Sequence, residues 1–284
     1  MKIFKYIYAV LFLAISLTAC SSDDNSDIPE ENPVKDLYKI YEFSRPDHTV
    51  EVYSVKQKLE VGYNEISIRV KNIVDNSYVA DAAPSWMPMM HMEHMSHSGP
   101  HSVLSNSVNN TVYRGHIVFQ MAGNDTEFWD LTLNYNFKGE ALSETTLIDV
   151  IQPTNGLKKV QVFTGNDDVR YVLAYVNPTK PEVAVNDMQA VLYKMQDMMT
   201  FPIVENYKII LDPRMPGMGN HSSPNNQDLT YNSSTTMYDG KLSLTMTGYW
   251  MINMKLLNAN GELLKGEDVT DDAPSSTLYF EIEF

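Results

Sequence analysis

Cysteine is nearly absent from this chain, with one residue in 284. A single thiol excludes an intramolecular disulfide framework and any multi-cysteine zinc or iron–sulfur centre. Basic residues are also scarce, 21 Lys+Arg against 36 Asp+Glu for a formal charge of −15. An acidic shell repels polyanions, which argues against a nucleic-acid or phosphate-binding surface. The sequence lacks a nucleophile elbow, a phosphate-binding loop, a dinucleotide glycine pattern and an H-E-x-x-H zinc motif, so nothing in it supports an enzyme. After residue 19 no apolar run is long enough to cross a bilayer. No long stretch keeps a 3.6-residue apolar period; residues 188–199 come nearest and are too polar and too short. Methionine, by contrast, is abundant, at 17 residues against 13 Gly.

Residues 1–19 read as a secretory signal, with Lys2 and Lys5 ahead of a short apolar run over 8–17. Leu17-Thr18-Ala19-Cys20 resembles the lipobox of bacterial lipoproteins, a resemblance that implies lipidation of Cys20 and a membrane anchor. Residues 20–35 are polar, acidic and interrupted by Pro29 and Pro33, the composition of a flexible tether. The acids just after Cys20 resemble the surface-export signal of Bacteroidota lipoproteins, which implies the outer face of the outer membrane. Read plainly, they form a solvated linker facing the periplasm.

Beyond the tether, short β-rich runs alternate with Gly, Asn, Asp and Pro turns, for example at 38–43, 50–53, 65–70, 113–120, 129–135, 171–175, 190–193 and 251–256. The expectation is an all-β chain. Self-comparison adds a repeat. Glu60-Val61-Gly62-Tyr63-Asn64 recurs as Glu182-Val183-Ala184-Val185-Asn186, Met87-Pro88-Met89-Met90 as Met215-Pro216-Gly217-Met218, and His97-Ser98-Gly99-Pro100 as His221-Ser222-Ser223-Pro224. Tyr113-Arg114-Gly115 and Met121-Ala122-Gly123 recur as Tyr238-Asp239-Gly240 and Met246-Thr247-Gly248, and Trp129 recurs as Trp250. The six matches keep their order at offsets between 121 and 128. Two tandem immunoglobulin-like β-sandwich domains follow, over 36–151 and 152–284, with Trp129 and Trp250 in their cores and His116 on a strand surface.

Residues 87–101 carry five Met (87, 89, 90, 92, 95) and four His (91, 94, 97, 101). Pro84, Pro88, Ser96, Ser98, Gly99 and Pro100 mark this segment as a loop. Exposed thioethers invite oxidation, a liability that metal binding offsets. Thioether is a soft, uncharged donor that suits Cu(I), and imidazole is a borderline one that also takes Cu(II), zinc and nickel. A mixed Met/His set without Cys points to copper, Cu(I) before Cu(II) or zinc. The second copy keeps Met215, Met218, His221 and Met246 against Met87, Met90, His97 and Met121, so these eight are the candidate ligands. Met87 and Met90, and Met215 and Met218, sit three apart around a Pro in a turn that would aim both sulfurs inward. Core packing is the alternative for Met121 and Met246. Met89, His91, Met92, His94, Met95 and His101 are extras of the first copy, suited to a second, more exposed site or a capture arm. Trp86 is placed to stack on a bound cation. Met188, Met195, Met198 and Met199 form a second Met-rich patch that suits core packing, ligands or a partner surface.

The pattern M-P-x-M, His-Ser-x-Pro, Tyr-x-Gly, Met-x-Gly and a nearby Trp resembles the YtkA-like/FixH-like domain, whose members are small exported immunoglobulin-like sandwiches associated with copper. The chain departs from that family in its second full domain, its added Met and His residues and its lipid anchor; with the lipobox and the ligand set, the expectation is a copper-binding envelope lipoprotein, one site per domain, that captures, buffers or delivers the ion. A TonB-dependent outer-membrane transporter or a copper enzyme would be the receiver. The rival expectation is a non-enzymatic interaction module, accessory to such a transporter, whose Met residues are contact surface.

Overall fold

The computed structural model describes residues 32–106 and 110–284. The signal over 1–19, Cys20 and the tether as far as residue 31 lie outside the described residues. Residues Pro33–Phe284 form one compact unit. Val34 is already buried, so packing starts slightly ahead of residue 36.

The described chain is all-β. The N-terminal half contains β1 (Tyr38–Ser44), β2 (His48–Ser54), β3 (Leu59–Glu60), β4 (Gly62–Asn72), β5 (Ser85–His91), β6 (Ser96–Ser98), β7 (Ser105–Asn106), β8 (Tyr113–Phe119), β9 (Phe128–Phe137), β10 (Glu140–Ile148) and β11 (Val150–Ile151). The C-terminal half contains β12 (Val160–Thr164), β13 (Arg170–Asn177), β14 (Val185–Lys194), β15 (Lys208–Met215), β16 (His221–Ser222), β17 (Gln227–Asn232), β18 (Met237–Ser243), β19 (Tyr249–Leu257), β20 (Leu263–Lys265) and β21 (Tyr279–Glu283).

In the first half the sheet β1-β2-β4-β8-β7 packs on the sheet β10-β9-β5-β6. β9 shows why the layers close. Trp129, Leu131, Leu133, Tyr135 and Phe137 alternate inward with Asp130, Thr132, Asn134 and Asn136 outward, the period-2 pattern of a strand with one buried face. These inward side chains meet Val50, Val52, Ile66 and Ile68 of the opposing sheet. In the second half all ten strands belong to one hydrogen-bonded sheet. It folds over itself through β17, which pairs with β15 on one side and β18 on the other. The enclosed core joins Leu173, Met188 and Leu192 to Ile209, Trp250, Ile252 and Phe280. Among the described residues no strand ladder crosses residues 152–159. These are immunoglobulin-like β-sandwich layers, with Trp86 and Trp129 buried in the first half and Trp250 in the second.

Several repeat matches are local devices that the two halves share. The Asn64 side chain accepts from Glu60 N–H at 3.0 Å and donates to the Glu60 and Gly62 carbonyls at 2.6 and 2.9 Å. Asn186 does the same for Glu182 and Ala184, at 3.0, 2.9 and 2.9 Å. Tyr113 Oη–H donates to Ala80 O at 2.6 Å and Tyr238 Oη–H to Val204 O at 2.9 Å. Each pins a buried phenol to the backbone of the preceding crossover.

The halves meet across an apolar seam of Val118, Val172, Ala174, Val191 and Tyr193. His116, which the sequence places on a strand surface, lies buried at this seam. Its Nε2 is 2.6 Å from Tyr193 Oη and its ring packs 4.7 Å from the Tyr63 ring. The strand assignment holds, but the second half covers its outer face. Burial lowers the imidazole pKa from 6.5 to about 4, with a smaller contribution from His101. Between those values the unfolded chain binds a proton that the folded chain does not, so stability rises with pH through that window. Going from pH 7 to pH 4 should cost about 3 kcal/mol at this one residue. Urea unfolding of wild type and His116→Gln should converge at pH 4 relative to their difference at pH 7; parallel pH profiles would contradict the assignment.

Candidate metal centre

The segment that reads as a loop is a β-hairpin. β5 alternates strictly: Trp86, Pro88 and Met90 are buried, while Met87, Met89 and His91 are half-buried on the other face. β6 returns over Ser96–Ser98, and the turn between them is closed by Met92 N–H to Met95 O at 2.9 Å. Pro88 is tolerated because β6 covers β5 only at Met89–His91. On that side a missing N–H at Pro88 breaks no ladder bond. Pro213 in β15 has the same setting, paired with Ile252 of β19 and lying between the short contacts with β17 and β16.

This geometry divides the expected ligand set. Met87 and Met90 are three apart on a strand, so their side chains leave opposite faces of the sheet. Met90 is fully buried, directly across from His97 on β6 and from Trp129 on β9, so these three share the inner face. The His97 ring stands edge-on to Trp129, with centroids 5.8 Å apart and planes at 89°. His97 Nδ1 lies 2.8 Å from Ser98 O; with Nδ1–H donating there, the Nε2 lone pair is left for a ligand. Trp129 Nε1–H donates to Met121 O at 2.9 Å, and Met121 packs on the same core. Met90, His97 and Met121 therefore gather around Trp129.

The second half repeats this arrangement, in a different register from the one the motifs suggest. Met215 is directly across from His221, and the β15–β19 ladder ends at Arg214–Met251, one step short of Met215 and Trp250. Trp250 Nε1–H donates to Met246 O at 3.0 Å. Gly248 lies under Met215, since a Cβ added there would sit 3.2 Å from the Met215 methyl. Met215 is thus the counterpart of Met90, and Pro213 of Pro88. The shared M-P-x-M string is a coincidence of register, ending a strand in the first copy and leaving one in the second. Met218 sits on the 3-10 turn Pro216–Met218 and is 58% exposed, off the buried face. The recurring set is two Met, one His and one Trp per half, with Met87 and Met218 outside it. His221 is exposed where His97 is half-buried, so the second set is the more open one.

The remaining candidates are dispersed. Met92 packs on the first core, while His94 and Met95 are exposed at the hairpin turn. His101 directs Nδ1 at Gly99 O, 2.7 Å away. Trp86 is buried, with Nε1–H donating to Ser102 O at 2.7 Å. A Cβ on Gly115 would lie 2.8 Å from the Trp86 ring, so this indole is packed against backbone. Met188 is core, whereas Met195, Met198 and Met199 lie on the turn after β14. Among the described residues no group of three or more His, Cys, Asp or Glu side chains is arranged to hold a metal ion. The residues grouped around each indole carry thioether and imidazole donors.

No family model and no curated protein matches the chain. Comparison with solved structures finds low similarity. The Escherichia coli adhesin FdeC is 13% identical over 75% of this chain and 60% of its own, with a TM-score of 0.24. A DUF4785 family protein of Legionella pneumophila is 11% identical over 78% of this chain and 55% of its own, with a TM-score of 0.27. A titin fragment is 9% identical over 73% of this chain and 91% of its own, with a TM-score of 0.18. The chain thus spans 60% and 55% of the lengths of the first two.

Proposed function

We propose that this protein is a copper-binding envelope lipoprotein, anchored through Cys20, that captures or buffers Cu(I) and passes it on without catalysing a reaction. The observation that carries this reading is the recurrence of one constellation in both halves, with Met90 across from His97 and Met215 across from His221. In each half the indole donates to the carbonyl of a further methionine, Met121 or Met246. Two soft thioethers and one imidazole suit a monovalent soft ion. An adjacent indole wall keeps water away and disfavours Cu(II), which prefers tetragonal nitrogen and oxygen donors. The resemblance to YtkA-like/FixH-like domains supports the same reading through Tyr113, Met121 and Trp129 and their counterparts more than through M-P-x-M. The receiver would be a TonB-dependent transporter if the protein is displayed on the cell surface, or a copper enzyme if it faces the periplasm.

A second reading has its own support. Met90 and Met215 are members of their hydrophobic cores, and Phe128 and Leu147 are exposed on the outer face of the first half. An interaction module would show both features with no metal bound. Anaerobic titration of the full chain with Cu(I) against a chromogenic chelator separates the two. At least one tight equivalent per half is expected; failure to compete for any Cu(I) would favour the interaction module.

A further inference from the structure

We propose that the outer face of β5 is a second soft-metal site, present in the first half alone and completed by a methionine turn of the second half. This rests on the proposed affinity for Cu(I) but uses none of the ligands of the two inner sets. Met87, Met89 and His91 alternate on one strand and so share one face, all half-buried. Neighbours two apart on a strand are separated by about 6.5 Å, a gap that the flexible Met87 and Met89 side chains can close onto one ion; His91, about 13 Å from Met87, shares an ion with Met89 only. Met87 Sδ already accepts a hydrogen bond from Ser98 Oγ–H at 3.4 Å.

His91 is held as a ligand would be. Its Nε2 is 2.7 Å from Asp130 Oδ2, its Nδ1 is 3.3 Å from Ser96 Oγ, and its ring stacks on Phe128 at 5.0 Å. With Nε2–H donating to the carboxylate, which orients the ring, Nδ1 accepts from Ser96 Oγ–H, and that longer contact is the one an incoming ion would displace. Asp130 is brought there by register, opposite Met89.

The second half reaches this face through Ser98. Ser98 N–H donates to Met198 O at 2.8 Å, so the turn after β14 lies along the open edge of β6. Met199 N–H to Asp197 Oδ1, at 2.7 Å, holds that turn. Met198 and Met199 are 44% and 42% exposed. The two methionine-rich segments of the chain, about 110 residues apart in sequence, therefore meet at one serine. The second half has no such site of its own. The positions matching Met87 and Met89 are Asp212 and Arg214, which pair with each other at 2.7 Å.

The test is anaerobic Cu(I) competition on the full chain, comparing wild type with Met87→Leu/Met89→Leu and with Met198→Leu/Met199→Leu. Leu for Met conserves volume and keeps the fold. The first variant should lose one equivalent. The second should keep the stoichiometry but weaken that same equivalent by roughly tenfold or more, the scale on which a lost supporting ligand acts. In protein labelled at the methionine methyls, Ag(I) should shift Met87, Met89 and Met198 together. Wild-type stoichiometry in the first variant overturns the outer site while leaving the proposed function intact. Unchanged affinity in the second overturns the contribution of the second half. A wild-type chain that binds no Cu(I) overturns both the outer site and the proposed function.

Discussion

Substituting Met90→Leu together with His97→Ala should weaken Cu(I) binding by the first half about a hundredfold or more and leave the second half unaffected. A factor of one hundred corresponds to about 2.7 kcal/mol of binding free energy, a plausible cost for losing one sulfur and one nitrogen from a three-donor set. The direct pairing of Met90 with His97 makes the two changes act on one site. The size of the effect depends on which face is touched. Leu at Met90 keeps the core filled, because Leu and Met are close in volume; Ala at His97 vacates a half-buried edge. A chelator-competition series of the double variant and of Met215→Leu/His221→Ala should show each removing one equivalent independently. Loss of both equivalents in either variant would mean a single ion shared between the halves, contrary to the two-set arrangement.

Trp129→Ala should have the largest effect on stability. The indole is fully buried, meets Phe119 edge-on at 5.0 Å, and lies where a Cβ on Gly99 would come within 3.3 Å of its ring. Truncating a buried Trp costs roughly 3–5 kcal/mol from lost transfer free energy and the cavity left behind. The same change removes the donor to Met121 O and the ring against which His97 stands. Stability and Cu(I) affinity should therefore fall together. Trp129→Phe should separate them, keeping most of the packing while losing the hydrogen bond, which is worth about 1 kcal/mol net. Guanidinium unfolding reads the first term and chelator competition the second. If Trp129→Phe binds Cu(I) as wild type does, the indole plays no part in positioning Met121.

Much of the architecture was legible because strands with one wet face announce themselves. The alternation in β9 makes Trp129 an inward residue from sequence alone, and Trp129 and Trp250 are both core as expected. Hairpin β5–β6 was hidden for a physical reason. Methionine occupies both faces of β5, so the apolar/polar alternation that marks a strand is erased even though the pleat is regular. Two prolines then read as breakers, whereas Pro88 sits where one edge of the strand has no ladder partner. His116 carried no signal of its burial, because what covers it is Tyr193 from the other half, 77 residues away. The register of the repeat was ambiguous for a related reason. Identity in M-P-x-M outweighed the weaker similarity of Trp86-x-Pro88-x-Met90 to Leu211-x-Pro213-x-Met215, which is the alignment the sheets use. Asp130 is a neighbour of His91 only through cross-strand pairing, which local sequence does not encode.

The hydrogen bond from Ser98 to Met198 also bears on solubility. Among the described residues β6 pairs only with β5, so its other side is the margin of a four-stranded sheet. Such margins recruit strands from other molecules unless something blocks them. Here the turn carrying Met198 lies along that margin, so one half of the molecule serves as the guard rail of the other. A first half cut away at the linker would expose this margin, beside the half-buried Met87 and Met89 of β5. It should self-associate through its β6 edge at concentrations where the intact chain stays monomeric.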